Sequence, residues 1–303
     1  MILSIIDLGS NSARMDIAEI NEATGNYRYL ARERRLVRLS DGMSLSGGLA
    51  PESVDRTIAA LREFKAQIDE YGCDDVIAVA TAAVRNADNK DEFLADVKRE
   101  TGIDIRVIKG EHEAEYDFLG VIGSLDTEEC VITDTGGGST EFILLSGGEA
   151  LARTSIPVGA VNMTERFFSL GESREAFEAL SDYVRSQLDK IHWLDDALGL
   201  PVVGMGGSVY NLAVVAQNRP GADRGALHGC EISSGDAVSA FEALAEMSEN
   251  ERLGAGIEKG REDTIVAGLM PNICLLDKLG SDRLIICSAG LKEGILYEFL
   301  ENI

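Results

Sequence analysis

Two stretches, IIDLGSNSARMDI at residues 5–17 and ITDTGGGSTEFIL at residues 132–144, align at an offset of 127 residues. The alignment pairs Asp7 with Asp134, Gly9 with Gly136 and Ser12 with Ser139. Each stretch reads as an apolar strand ending in Asp, a Gly/Ser turn, and a second strand returning antiparallel. A unit of this kind occurring twice implies duplicated lobes. A boundary near residues 123–128, in the turn-rich GSLDTEE, divides the chain into lobes of residues 1–125 and 126–303, with the final helix able to pack back on the first lobe.

Further apolar runs end in small-residue turns: DVIAVATAAVR at 75–85, PVVGMGGS at 201–208 and RLIICSAGLKEG at 283–294. Between them lie helical patterns. Residues 51–71 carry Val54, Ile58, Leu61, Phe64 and Ile68 at i, i+3, i+4 spacing, and residues 174–194 form a second long pattern. Strands alternating with helices indicate an α/β architecture.

Composition narrows the function. The chain has 303 residues, 45% hydrophobic and 26% charged, enough for two globular domains. Its net charge of −24, from 28 basic and 52 acidic residues, excludes general nucleic-acid binding, which needs phosphate-neutralising cations in excess. MILSIIDLGS has no basic n-region and meets Asp7 early, so it reads as a first strand, not as a signal peptide or membrane span. Cys73, Cys130, Cys230, Cys274 and Cys287 form no C-x-x-C pair, as expected of reduced cytoplasmic thiols. Cys130 and Cys287 sit in apolar runs and read as small buried hydrophobes. Three scattered histidines offer no zinc site. The dense cationic stretch, RYLARERRLVR at 28–38, is either a solvated strand face or an anion site; as a strand it would place Arg34 and Arg38 on one face.

Glycine turns admit close approach of backbone N–H groups to an anion, and small hydroxyls add donors. Asp134 and Glu141 flank GGGST, so a short hairpin brings both carboxylates to one mouth, where hard oxygens suit Mg²⁺. The alternative is a capped turn and a solvated strand start. KGEHEAEYDFLGVIG at 109–123 reads as a helix from about Glu111, with Glu111, Glu113, Glu115 and Asp117 favoured by its positive end. Periodicity does not choose a catalytic member among these acids. Arg85 closes VATAAVR, where a guanidinium could clamp a phosphate or simply face water. No nucleophile elbow accompanies His112, His192 or His228, which leaves water as the attacking group.

Taken together, DLGSNS at 7–12, ATAAVR at 80–85, G-x-x-E-A at 110–114, DTGGGSTE at 134–141, GMGGS at 204–208 and SAGLKEGILYE at 288–298 resemble the Ppx/GppA phosphatases in order and spacing. LHG at 227–229 and REDTIVAG at 261–268 are similar to that family's later segments. The resemblance covers essentially the whole chain, and longer members continue into a helical HD-like region. It implies a two-lobed actin-like fold of the actin, sugar kinase and Hsp70 class, with two ribonuclease-H-like lobes around a cleft. It also implies a homodimer.

By matching position, the resemblance makes Glu113 the catalytic base, Asp134 and Glu141 the metal- and water-positioning acids, and Arg85 the substrate-binding arginine. It makes Gly9, Ser10, Asn11 and Ser12, with Gly136, Gly137, Gly138 and Ser139, the two phosphate loops; Gly206, Gly207 and Ser208 form a third glycine-rich turn. Arg34 and Arg38 are assigned to the distal part of a long anionic substrate. Three departures bear on substrate detail: His112 stands where many members have an acid, Glu115 where they have arginine, and Lys292 where arginine is frequent. The implied activity is Mg²⁺-dependent release of orthophosphate from inorganic polyphosphate, or from guanosine pentaphosphate. An actin-like ATPase or sugar kinase, and a non-catalytic polyphosphate or alarmone sensor, are the alternatives from other classes.

Overall fold

The computed structural model describes the backbone of residues 1–303 and the side chains of all but residues 44 and 45. The chain divides into two compact units, Met1–Gly120 with Leu291–Ile303, and Val121–Gly290.

The first unit carries strands β1 (Ile2–Leu8), β2 (Ser12–Ile20), β3 (Tyr27–Leu36), β4 (Asp75–Ala80) and β5 (Ile105–Val107), in the sheet order β3-β2-β1-β4-β5. β1, β2 and β3 form an antiparallel meander, while β4 and β5 join β1 in parallel. Alternation along the strands gives the sheet two apolar faces. Ile6, Leu8, Met15 and Ile17 pack against Ile58, Leu61, Phe64 and Ile68 of the helix Pro51–Tyr71 and against Phe93 and Val97 of the helix Lys90–Thr101. Leu3, Ile5, Ile20 and Val79 meet Tyr116 of the helix Gly110–Ile122 and Leu291, Ile295 and Leu296 of the helix Leu291–Glu301.

The second unit repeats the plan with β6 (Glu129–Thr135), β7 (Thr140–Ser146), β8 (Glu149–Ile156), β9 (Val202–Met205), β10 (Glu231–Ser233) and β11 (Arg283–Ile286), in the order β10-β11-β9-β6-β7-β8. Again a meander, β6-β7-β8, is extended by parallel strands, β9 and then β11, with β10 antiparallel at the edge. Its core is larger, drawing Val131 and Phe142 together with Leu180, Leu188, Val209, Leu212, Leu269 and Leu276 from three helices.

Two local expectations are corrected. The pattern over 174–194 is not one helix: Arg174–Leu188 is α-helical, and His192–Ala197 forms a separate 3-10 turn. Leu188, Ile191 and Leu194 are all buried in the same core, so the apolar spacing survives a break in the backbone that it does not encode. The second correction concerns the arginine-rich segment. β3 ends at Leu36, and Arg38 adopts the left-handed conformation (φ 44°), so the alternation that would pair Arg34 with Arg38 stops short of Arg38.

The closing helix is fitted to its seat by one small residue. A Cβ on Gly294 would overlap the carbonyl group of Tyr116, where two helices cross. Gly294→Ala should therefore lower stability by about 1–3 kcal/mol, the usual cost of overpacking. Urea denaturation checks this, and an unchanged midpoint would show that the crossing has slack.

Candidate active site

In the second unit, residues Gly136–Ser139 join β6 to β7, and the turn closes with the amide of Gly136 donating to the carbonyl of Ser139 at 2.9 Å. The antiparallel register sets Asp134 opposite Glu141 and Thr135 opposite Thr140. Directly paired residues project to one face, so both carboxylates stand beside the turn. Glu141, 1% exposed, accepts from the Ser155 hydroxyl at 2.7 Å, Ser155 being its register partner on β8. Beneath the turn, Thr140 Oγ1 donates to the Val158 carbonyl at 2.5 Å, and Asn272 Nδ2 to Thr135 Oγ1 at 3.2 Å.

The GMGGS turn, between β9 and the helix Gly206–Ala216, lies against this pair. Gly206 has φ 82°, and a Cβ there would stand 2.5 Å from Asp134 Oδ1, so position 206 requires glycine on both counts. Gly207 lies under the guanidinium of Arg261, and Ser208 is buried against Gly268. Arg261 donates to Glu258 at 3.1 Å, and Glu258 also receives Arg224 at 2.9 Å.

In the first unit, the turn Gly9–Ser12 repeats the geometry, the amide of Gly9 donating to the Ser12 carbonyl at 3.1 Å. The register here pairs Asp7 with Arg14, the counterpart of Asp134 with Glu141. Loss of water pushes the Asp7 carboxyl above the ordinary range, against the pull of Arg14 and Lys292. Arg34 Nε donates to Ser12 Oγ at 3.2 Å, which brings Arg34 to the turn. Arg38 meets it through its backbone instead, its amide donating to the Asn11 carbonyl at 2.9 Å. Among the described residues, Asn11 Oδ1 and Nδ2 are buried without a protein partner, an arrangement that costs stability unless solvent or ligand completes it.

Arg85 stands in the short helix Ala82–Asn86 that follows β4. Its Nη1 donates to the Ile108 carbonyl at 2.9 Å and to Glu113 Oε2 at 3.1 Å. That leaves Nε and Nη2 without acceptors among the described residues. Glu113 lies in the first turn of the helix Gly110–Ile122, with the wholly buried Asp117 one turn further on. The first unit thus brings together Arg85 with Glu113, and Arg34 with the turn at 9–12. The second brings together Asp134, Glu141, the turn at 136–139 and Gly206.

Periodicity could not have selected Asp117 or Arg261, because each is placed by packing; Asp7 had a signal, its alignment with Asp134. Among the described residues, no three His, Cys, Asp or Glu side chains form a group able to hold a metal alone. Asp134 and Glu141 do fit an ion that takes the rest of its shell from water and substrate oxygens, as Mg²⁺ does. All five cysteines are free, and burial pushes the Cys130 thiol up to about 12, far from a nucleophile's range.

Two ribonuclease-H-like sheets, each with an aspartate heading a glycine- or serine-rich turn between its first two strands, define a duplicated α/β protein of the actin-like class. Within that class the chain belongs to the Ppx/GppA phosphatase family, whose model matches residues 17–303. Exopolyphosphatase 2 of Mycobacterium tuberculosis is 30% identical, over 97% of both chains. A guanosine-5'-triphosphate,3'-diphosphate pyrophosphatase of Aeromonas hydrophila is 29% identical over 99% of this chain, which spans 60% of that protein. A bifunctional 3-dehydroquinate synthase/phosphatase of Fusobacterium nucleatum is 28% identical, and the chain spans 46% of it. Among solved structures, a Ppx/GppA family member from Aquifex aeolicus is 33% identical with a TM-score of 0.81, over 100% of this chain and 98% of that one. An exopolyphosphatase from Cytophaga hutchinsonii is 26% identical with a TM-score of 0.91, over 100% and 99%.

The raised Asp7 pKa carries a stability prediction. A carboxyl that binds its proton more tightly when folded costs stability at neutral pH, and the cost shrinks as pH falls through the raised folded value and is gone below the unfolded value of about 4. Asp7→Asn should therefore hold or raise Tm at pH 7, with the gain gone near pH 3.5. A lower Tm at pH 7 would mean that the pairing with Arg14 outweighs the lost hydration.

Proposed function

We propose that the protein is an exopolyphosphatase, releasing orthophosphate from the end of a polyphosphate chain by attack of water on the terminal phosphorus. The observation that carries this reading is the separation of two carboxylate groups by role. Glu113 is oriented by a guanidinium at 3.1 Å, whereas Asp134 and Glu141 share one face beside a glycine turn.

In this reading the turns at 9–12 and 136–139 bind substrate phosphates through their amides, and Arg85 adds the donors that Glu113 and Ile108 do not use. Arg34 holds phosphates further along the chain. Glu113 accepts the proton of the attacking water while the phosphoanhydride bond breaks, and the shortened polyphosphate leaves on its bridging oxygen. Asp134 and Glu141 would hold Mg²⁺, which supplies charge neutralisation to the transferring phosphoryl group. Phosphoryl transfer asks mainly for positioning and neutralisation, and these residues offer both.

Polyphosphate is preferred as substrate because the mycobacterial exopolyphosphatase matches this chain end to end. Guanosine pentaphosphate is the second reading, favoured by the similarity to the Aeromonas hydrophila pyrophosphatase. The proposal includes a cytoplasmic setting, supported by five free cysteines, and a homodimer, supported by the family resemblance. Among the described residues no helix is long and apolar enough to cross a membrane.

Orthophosphate release from polyphosphate and from guanosine pentaphosphate, measured side by side, tests the substrate; faster release from the nucleotide selects the second reading. Glu113→Gln should lower kcat by 10²–10⁴-fold, the range for a general base, with polyphosphate affinity nearly kept. A variant with more than about a tenth of the parent rate excludes that role. Replacing Asp134 or Glu141 by Ala should shift the Mg²⁺ dependence as well as the rate. Ordinary Mg²⁺ activation in both variants would count against the metal assignment.

A further inference from the structure

We propose that Asn162 is a positioning residue for the second phosphate turn, clamping its carbonyl groups so that its amides face the substrate; this rests on reading residues 136–139 as a phosphate turn. The helix Ala160–Phe167 begins against that turn. The amide of Ala160 donates to the Gly136 carbonyl at 2.9 Å, and those of Val161 and Asn162 to the Gly137 carbonyl at 2.9 and 3.2 Å. Asn162 Nδ2 donates to the Gly138 carbonyl at 3.0 Å. Three successive carbonyls of the turn are therefore engaged by one helix end.

In a trans peptide the C=O and N–H point in opposite directions. Binding the carbonyls of Gly136, Gly137 and Gly138 on one side turns the amides of Gly137, Gly138 and Ser139 to the other. Among the described residues, those three amides donate to no protein acceptor, and a row of such amides is an anion-binding nest. The helix end is not itself the site, since its first amides are spent on the turn. Gly159 permits the approach: a Cβ there would lie 2.5 Å from Gly137 C and Gly138 N. Asn162 fixes that approach from its other end, its Oδ1 accepting from the Gly159 amide at 2.8 Å and its Nδ2 reaching the Pro157 carbonyl at 3.2 Å as well.

The first unit makes the same clamp from different residues. After β3, the amides of Val37 and Arg38 donate to the Asn11 carbonyl at 3.1 and 2.9 Å, and that of Ser40 to the Ser10 carbonyl at 3.1 Å. Ser10 and Asn11 are the counterparts of Gly137 and Gly138. In both units, then, the chain leaving the third strand ties down the carbonyls of the turn between the first two. Here Arg38 takes φ 44°, a conformation unusual for a residue with a side chain, and its amide makes the contact that Asn162 Nδ2 makes in the second unit.

Asn162→Asp separates this role from helix capping. Aspartate keeps the acceptor for the Gly159 amide and favours a helix N-terminus, but sets an oxygen against the Gly138 carbonyl. Affinity for tripolyphosphate, measured by calorimetry on the whole chain, should fall at least fivefold. KM for polyphosphate should rise by a similar factor with kcat within about twofold, because the nest binds ground and transition states alike. Tm should stay within about 2 °C. Unchanged affinity and KM in Asn162→Asp overturn the clamp, and so does a loss of affinity in proportion to a loss of fold. Should the aspartate variant not fold, Asn162→Ser, whose side chain is too short to reach Gly138, is held to the same outcomes. A parent protein that binds no tripolyphosphate overturns the phosphate reading of the turn, and the clamp with it, whereas a binding parent with an equally binding variant overturns the clamp alone.

Discussion

Strand register at two hairpins is the constraint from which the candidate chemistry follows. In an antiparallel pair, residues directly opposite share a face, and a slip of one residue would send every side chain to the other face. The pairing of Asp7 with Arg14, and of Asp134 with Glu141, is thus a single geometric device used twice. Its two copies have diverged in charge at one position. The first unit opposes its aspartate with a cation and adds Arg34 at the same turn, which favours anions. The second opposes its aspartate with another carboxylate, which favours a metal ion.

The first unit carries an unusual load of charge on the sheet face that holds Asp7. Asp16, nearly fully buried, pairs with Lys292 of the closing helix and at 3.1 Å with Arg32, which also pairs with Glu293. Desolvating such groups is costly, and breaking one pair leaves the other charge unmatched. The network therefore acts more as a register lock than as a source of net stability, because the helix Leu291–Glu301 satisfies Asp16 and Arg32 in one position along its length. Lys292 is deep enough that an ammonium fits the space left by Asp16.

How much of this could be read in advance depended on whether the determining contacts were local. The hairpins were legible because the Asp, the turn and the returning strand lie within a few residues, and the same pattern recurs at 127 residues. The helix Pro51–Tyr71 was legible because its apolar residues repeat at the helical period. Arg38 was not, since its backbone conformation is set by a hydrogen bond to Asn11 across the sheet. Asn162 and Arg261 were missed for a similar reason: each is polar within a helical or turn segment and gains its place only when distant glycines, Gly138 and Gly207, come against it. The break between Leu188 and His192 escaped because apolar periodicity reports which residues face a core, and both segments face the same one.

The order in which the chain is made has a bearing on how the first unit is completed. Residues Val121–Gly290 are contiguous, whereas the first unit is interrupted by them and resumes only at Leu291. During synthesis the second unit can bury its core as soon as it has emerged, but Leu3, Ile5 and Val79 must wait for Ile295 and Leu296. Until then an apolar sheet face and the carboxylate of Asp16 stand without the helix that covers them. A ribosome-bound intermediate of this protein would be expected to engage chaperones through strands β1 and β4 and to be released from them once the helix Leu291–Glu301 has been made.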